Sequence, residues 1–570
     1  MLITPTSTRL EAAVSTESTI TEHSSPFAPL RHGIFRAVWL ANLTSNFGGL
    51  IQSVGAAWLM TSLAGSVELV ALVQASTTLP IMLFSLVAGA IADNYDRRML
   101  MLVAQVFMLA VSVVLAGSTY FGLITPWVLL TFTFLIGCGT ALNNPAWQSS
   151  VRDMVPRQDL PQAIALNSVG MNIARSVGPA IGGMIVAAAG AAAAFVANSI
   201  SYLAIILVLF RCKPATRPSP LPPESLGAAV SAGIRFVAMS PAIRTVLTRA
   251  LVFGFAGSAV QALMPLVARD LVRGGPVTFG LLLGAFGVGA IAGGLLSSRI
   301  RQVLATETLV RLAFIGFAAC TLVTAYSSRA SVAMPAMALG GACWVLALSS
   351  FNVAVQISSP RWVLGRTLAL YQTAAFGGMA LGSWTWGMLA ERFSTSEALV
   401  WSALVHGLAV LAGLRWTLPN YEDANLEPLN RWKQPDIALE IQPRSGPIVI
   451  TIEYRIREED LPEFLVLMAE RRRIRRRDGA RHWHLLRDLS EPELWTERYD
   501  APTWLDYMRQ AQRITHADAR IVDRLRELHG GPEPPQVRRR IERQPISTLP
   551  EAGYANETDY YYPTDPTQSP

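Results

Sequence analysis

Arg175 is the residue in this 570-residue chain whose position most demands a chemical explanation. It lies near the middle of the apolar stretch 164–188. A charge at the centre of a membrane helix costs about 2.5–3.5 kcal/mol on insertion scales, so such a side chain faces a cavity or a partner. Two readings stand side by side. Arg175 is an anion-binding or coupling group in a solute path, or it is a buried arginine tied to carbonyls or to an acid of a neighbouring helix. Other polar residues interrupt the apolar runs: Asn42, Asn46 and Gln52, then Gln74, Asn143, Asn144 and Gln148. Asn167, Asn172, Gln261, Asn352, Gln356 and Gln372 follow. Each can bond a solute or hold a neighbouring helix. Asn42 and Asn46, four apart, share one helix face.

Enzyme chemistry finds less support. Cys138, Cys212, Cys320 and Cys343 form no CxxC pair and read as small packing residues. His482, His484, His516 and His529 show no metal-ligand spacing, and no nucleophile motif stands out. No catalytic residue, metal or cofactor is therefore assigned. Glu68, Asp93, Asp153, Asp270, Glu307 and Glu391 all fall near the ends of apolar runs. A proton antiporter needs a titrating group, and the sequence singles none out.

The elements that must position these residues are membrane helices. The chain is 51% hydrophobic and 15% charged, against about 25% charged in a soluble domain. Its net charge of +7 is uneven: from Arg415 onward there are 24 basic and 27 acidic residues, leaving a basic, charge-poor majority. No basic cluster lies in that majority, which argues against nucleic acid as a partner. Twelve runs approach the roughly 20 apolar residues of a membrane span. They lie at 36–61, 68–91, 99–121, 126–148, 164–188, 192–210, 245–268, 276–297, 305–326, 331–354, 367–390 and 396–416. Arg97, Arg98, Arg152, Arg157, Arg211, Lys213, Arg217, Arg299, Arg301, Arg361 and Arg366 fall in one set of loops. The positive-inside rule puts that set, and both termini, in the cytoplasm.

The expected plan is an N-terminal tail 1–30, a six-helix half 31–210, a cytoplasmic linker 211–243 and a second half 244–416. A linker 417–445, an α+β domain 446–530 and a disordered tail 531–570 complete it. Shifting the first half by 204 residues superposes Gly89 on Gly293, Arg97 on Arg301, Gly178 on Gly382 and Gly183-Met184 on Gly387-Met388. A shift of 208 superposes Asn144-x-Ala146-x-Gln148 on Asn352-x-Ala354-x-Gln356. Parallel six-helix repeats with a path at their interface are a transporter signature.

Two glycine motifs sharpen this. Gly89-Ala-Ile-Ala-Asp93-Asn-Tyr-Asp96-Arg97-Arg98 closely resembles the gating-loop motif of the major facilitator superfamily. It departs at Asn94, where a basic residue is usual, and at Asp96, where glycine is usual. Gly89 is expected to allow close helix contact, and Arg97 and Arg98 to fix the cytoplasmic side. Arg175-Ser-Val-Gly178-Pro179-Ala-Ile-Gly182-Gly183 resembles the superfamily's antiporter motif, with small residues that let a neighbouring helix approach. The arginine that drug antiporters often carry in the fourth helix is missing from Phe134–Pro145. Asn144-Pro-Ala-Trp-Gln148, Leu160–Asn167, Ser359-Pro-Arg-Trp362 and Ala369-Leu-Tyr-Gln372 look like the transmembrane secretion effector group. The resemblance implies an all-α major facilitator fold of twelve helices in the cell membrane. It also implies a cavity lined by helices 1, 4, 7 and 10, and export of a siderophore-like or antibiotic-like small molecule against protons.

In the tail, Ile448, Ile450, Ile452, Tyr454 and Ile456 alternate as a strand, and 458–477 is helical with Arg471-Arg-Arg and Arg475-Arg-Arg. That basic helix could meet anionic lipid or simply be solvated. A hairpin at 483–499 and helices at 502–512 and 515–529 give the order βαββα. This resembles ferredoxin-like dimeric domains of the antibiotic-biosynthesis monooxygenase type. With no metal-ligand spacing among its histidines and no nucleophile motif, a regulatory or dimerising role is favoured over catalysis. The rivals to an exporter are an importer of the same fold and a membrane-tethered, cofactor-independent oxygenase.

Overall fold

A computed structural model describes residues 27–63, 65–156, 159–211, 226–360, 362–418, 435, 437–439 and 441–542. The first half contains α1 (Gly33–Leu63), α2 (Val67–Asn94), α3 (Arg97–Tyr120), α4 (Pro126–Met154) and α5 (Leu160–Arg211). Two crossings, expected as separate helices, are joined in α5. They are divided at Gly190, whose φ of +78° turns the chain. Glycine enters that region without the Cβ clash that other residues meet. The second half contains α7 (Pro241–Leu266), α8 (Pro276–Val303), α9 (Thr306–Tyr326), α10 (Ala330–Ile357), α11 (Leu364–Arg392) and α12 (Thr395–Arg415). Between the halves lies α6 (Leu226–Ala238). This helix falls in the stretch expected to be plain linker. Ala232 and Phe236, four apart, bury one face of it, and that spacing wins over the proline-rich sequence before it.

Side-chain caps start several helices. The Asp96 carboxylate accepts from the N–H groups of Arg98 and Met99 and begins α3, so Asp stands here as a cap. Ser66, Thr125 and Ser394 do the same for α2, α4 and α12. Nine stretches of the described residues are long and apolar enough to cross a membrane. One of them, Gln162–Arg211, makes two crossings by turning at Gly190. The membrane-length helices α1 and α11 stand outside the nine, their apolar runs broken by Asn42, Asn46 and Gln52 and by Arg366 and Gln372. Twelve crossings result, as expected.

The halves meet along α2–α11 and α5–α8. Glycine makes the second contact possible. A Cβ on Gly183 would lie 2.6 Å from the Pro276 carbonyl oxygen, and one on Gly287 2.4 Å from that of Arg175. Membrane helices pack through small residues in this way because lipid offers no hydrophobic drive to associate.

After the bundle come β1 (Ile448–Arg455), α13 (Leu461–Asp478), β2 (Arg481–Arg487), β3 (Leu494–Ala501), α14 (Trp504–Gln512), α15 (His516–Glu527) and β4 (Val537–Ile541). The strands form one antiparallel sheet in the order β2-β3-β1-β4. Ile448, Ile450, Ile452 and Tyr454 pack on Phe464, Met468, Trp504, Tyr507 and Leu525. β4 lies inside the stretch expected to be disordered. Its Val-Arg-Arg-Arg-Ile sequence carries almost no apolar alternation. It is held by pairing with β1 and by Arg539, which donates to the Tyr507 hydroxyl. The rest of that stretch, 543–570, lies outside the described residues, as do 1–26.

Most arginines of the basic helix are paired, while Arg472 and Arg476 stay exposed. Arg471 donates to the fully buried Glu497 at 2.7 Å, and Arg475 lies 3.5 Å from the same carboxylate. Arg477 pairs with Asp478 and Asp518, both at 2.9 Å, and Arg473 pairs with Glu470. Burial alone would raise the Glu497 carboxyl. Arg471 and Arg475, with Trp483 donating, outweigh it and hold Glu497 below the usual glutamate value.

Candidate functional site

Arg175 stands midway between Leu160 and Gly190, roughly 22 Å of helix from each. Gly178 and Gly182 turn toward α1, where a Cβ would fall 3.1 Å from Leu50 and Ile51 respectively. Pro179 and Gly183 face Gly280 of α8. Ile173, Val177 and Met184 are exposed on the lipid side. At roughly 100° per residue, Arg175 falls between the α1 and α8 stripes, on the far side of the helix from Val177 and Met184. Its side chain is exposed, and no described side chain pairs with it. The reading in which an acid neutralises it finds no support among the described residues. Among the described residues, this guanidinium thus has no acid partner and lies on the helix face between the α1 and α8 contacts.

The duplicated polar pairs occupy matching places. Asn144 and Gln148 are exposed on α4, on the stripe whose Gly137 packs against Pro80 of α2. Asn352 and Gln356 bond one another on α10, on the stripe whose Gly341 packs against Phe286 of α8. Between each pair stands a fully buried alanine, Ala146 or Ala354. Gln261 of α7 meets Gln74 of α2 at 3.5 Å, across the two halves. Asn46 and Gln372 are half-buried, and Asn42 is buried.

Gln52 is placed elsewhere. Its Oε1 accepts from Ser112 of α3 and from Asn198 in the second limb of α5, and Asn198 donates to the Tyr202 hydroxyl at 3.1 Å. All of these are buried within the first half. The Gln52 side chain is spent on holding three helices together and turns away from the seam. A polar residue in an apolar run has the same signature in either role, so sequence could not tell them apart.

The seam is closed at the end remote from the tail. Glu391 at the end of α11 accepts from the N–H groups of Val67 and Glu68, capping α2 of the other half. An anion at a helix N-terminus is favoured by the dipole. Trp384 Nε1 donates to Glu68 at 3.0 Å, and Arg269 donates to the Thr61 carbonyl at 2.8 Å. Trp58 stacks on Phe279 at 6.2 Å between ring centres. These are cross-half contacts, and Glu68 and Glu391 among them read in sequence only as acids near the ends of apolar runs. Toward the tail, α2 and α11 stay together through Ser85 and Thr373 at 2.9 Å, while Asn144, Gln148 and Gln356 remain exposed.

The motifs divide. Gly89 has no atom within 4 Å of a hypothetical Cβ, so close helix contact does not explain it in this conformation. Its repeat mate Gly293 is tight against Ala342. Arg98 donates to the carbonyls of Leu209 and Phe210, tying the start of α3 to the end of α5. Arg97 is half-buried beside it, and the Asp93 side chain lies outside the described set. Two further polar groups take roles that the sequence did not assign them. Glu307 bonds Arg249, Arg311 and the Leu418 N–H, joining α7 and α9 to the end of α12. His406 is fully buried among Phe253, Phe314 and Phe317. The four-residue step from Glu307 to Arg311 was the available signal for the first.

Known proteins share this architecture. A sequence profile described as "Transmembrane secretion effector" matches residues 24–545, which includes the tail. The chain is 26% identical over 401 residues to the enterobactin exporter EntS of Shigella boydii serotype 4, covering 67% of this chain and 91% of that protein. It is 26% identical over 260 residues to the staphyloferrin A transporter of Staphylococcus aureus, covering 45% of this chain and 65% of that relative. Among solved structures it is similar to a bacterial homologue of the human lysosomal transporter Spinster, with a TM-score of 0.57 and 15% identity over 70% of this chain and 99% of that one. These relatives are transporters, not enzymes. By its sequence and its fold, the chain belongs to the transmembrane secretion effector family of the major facilitator superfamily.

Proposed function

We propose that this protein exports a small anionic molecule from the cytoplasm by alternating access of its two halves, in exchange for protons. Arg175 carries the reading. A lone cation facing the seam at mid-membrane lowers the cost of an anion there and raises it for a cation. Asn144, Gln148, Asn352, Gln356, Gln261, Asn46 and Gln372 would supply hydrogen bonds along the path. Siderophore-like or antibiotic-like metabolites bearing carboxylates or phenolates fit that lining. The arginine-rich loops support a cytoplasmic tail and termini. With the remote end closed, the seam then faces the cytoplasm, where an exporter loads. Proton exchange rests on the family resemblance.

The tail is read as a ferredoxin-like accessory and dimerising domain, supported by its strand order and by the pairing of β1 with both β3 and β4. A groove on it of about 490 Å³, lined by Arg455, Arg457, Arg487, Glu491 and Trp495, includes no histidine or cysteine.

The test is flux into inside-out vesicles, with anionic dyes and neutral counterparts of similar size. Accumulation of anions should fall about ten- to hundredfold in Arg175→Gln, the scale of one charge-assisted hydrogen bond, and survive in part in Arg175→Lys. Full accumulation by an equally abundant Arg175→Gln protein would sink the anion reading. Accumulation only in right-side-out vesicles would make the protein an importer. Flux indifferent to collapse of the proton gradient would exclude exchange.

A further inference from the structure

Among the described residues, the tail meets the bundle around α6 and the turn at Trp362. The helix α6 joins the halves, and it touches α2 of the first and α11 of the second. Its Phe236 is buried with Ile243 and Val363 and meets Trp362 edge-on at 5.6 Å. Gly233 seats it on the Arg366 side chain, where a Cβ would lie 2.9 Å away. The tail grips this assembly with arginines. Arg473 donates to the Met239 carbonyl at 2.9 Å, just past the end of α6, where carbonyls lack helical partners. The Arg477 guanidinium lies over the Phe236 ring at 5.6 Å, and Arg235 of α6 donates back to the Arg477 carbonyl at 3.4 Å. Arg513 lies over the Trp362 ring at 4.2 Å.

The grip is preorganised. Arg477 is held by Asp478 and Asp518, Arg473 by Glu470, and Arg513 donates to the Asp478 carbonyl at 2.6 Å. Gly479, with φ +115°, ends α13 beside Arg235, where a Cβ would lie 3.1 Å from the guanidinium. The tail therefore presents a shaped, fixed set of cations to two aromatic rings and a helix end. A contact whose geometry is fixed beforehand loses less entropy on forming.

We infer that the docked tail is a brake on the transport cycle: it clamps α6 across α2 and α11 and so favours the conformation in which the remote end is closed. Rocking of the halves changes the spacing of α2 and α11 at the tail-bearing end. A helix that touches both can keep both contacts at one spacing only. Opening of the remote end then requires α6 to let go of one of them, and the tail opposes that release through Arg473, Arg477 and Arg513. A ligand or modification acting on the tail would reach the transport path by loosening this contact. The inference uses only the two-conformation part of the proposed function, and not the identity of the solute.

The full-length chain, with its cysteines at 138, 212, 320 and 343 replaced, can be tested without a substrate. Spin labels at Ser62→Cys and Val277→Cys, both exposed at the remote end on opposite halves, report its opening. A second pair, Ala238→Cys and Leu489→Cys, reports docking of the tail. In Arg473→Ala/Arg513→Ala the docking distance should lengthen and broaden. The open population at the remote end should rise about two- to fivefold for the Arg513 cation–π contact removed, and further for the lost Arg473 hydrogen bond. Undocking with an unchanged distribution at the remote end would overturn the brake. Cysteines at Met239→Cys and Arg473→Cys, joined by a reversible bifunctional thiol reagent, give the converse. The linked protein should lose its open population and regain it on reduction, and a linked protein that opens freely again overturns the inference. A remote end that opens in no variant refutes alternating access itself, which is a different result.

Discussion

Polar side chains in the apolar runs divide into those that hold helices together and those left without a described partner. Gln52 and Arg175 are both polar residues in apolar runs. Gln52 accepts two hydrogen bonds inside its own half, whereas Arg175 has no described partner and lies between the α1 and α8 contacts. Glu307 belongs with Gln52. It neutralises Arg249 and Arg311 between helices of the second half. Glu307→Gln should leave the buried Arg249 uncompensated and destabilise the protein by about 3–5 kcal/mol, the usual cost of breaking a buried pair. Thermal unfolding in detergent reads this directly. A melting temperature equal to that of the parent chain would show that the cluster bears no structural weight.

At the level of helices, contact distance and sequence motif part company. Gly89 belongs to the more recognisable motif, but nothing lies within 4 Å of the space its side chain would fill. Gly287 belongs to no motif noted in the sequence, yet a Cβ there would meet the Arg175 carbonyl at 2.4 Å and the Ser176 Cα at 2.6 Å. Both obstacles are backbone and cannot rotate away. Gly287→Ala should therefore force α5 and α8 apart, lower the melting temperature by several degrees and reduce anion flux. Gly89→Ala should leave the melting temperature of this conformation unchanged. Equal effects of the two substitutions would contradict the packing described. The helix starts rest on local chemistry: Asp96, Thr125 and Ser394 each cap the helix that follows.

The whole molecule joins a membrane bundle to a water-exposed domain whose stability depends on charge. Glu497 has a carboxyl held below its ordinary value, so its contribution is complete above the usual glutamate range near 4.3 and is lost as pH falls through the lower folded value. The melting transition of the tail in the parent chain should exceed that of Glu497→Gln by about 3–5 kcal/mol at pH 7. The gap should narrow as pH drops below about 4. A gap of constant size between pH 7 and pH 3.5 would remove Glu497 from that role. Because Arg477 joins this basic helix to α6, acid should also loosen the docking of the tail.

The twelve crossings, their two repeats and the α+β tail were legible because each rests on a local pattern. A bilayer demands runs of apolar residues with every backbone group bonded inside the run, and a half-buried strand demands alternation. Elements without such a pattern were not legible: β4 is an arginine-rich strand fixed by its neighbour β1, and α6 is short and lies in a stretch read as linker. The direction of each polar side chain was also beyond sequence, because a helix position becomes a partner or a vacancy only when another helix arrives beside it. Tertiary structure turned Gln52 inward and left Arg175 between the α1 and α8 contacts. It paired Arg471, Arg475 and Arg477 of the basic helix with Glu497, Asp478 and Asp518, and brought Glu391 to the start of α2. Sequence determined that this protein crosses a membrane and to which family it belongs. Packing between distant segments decided which polar side chains find partners, where the seam between the halves is closed and what holds it closed.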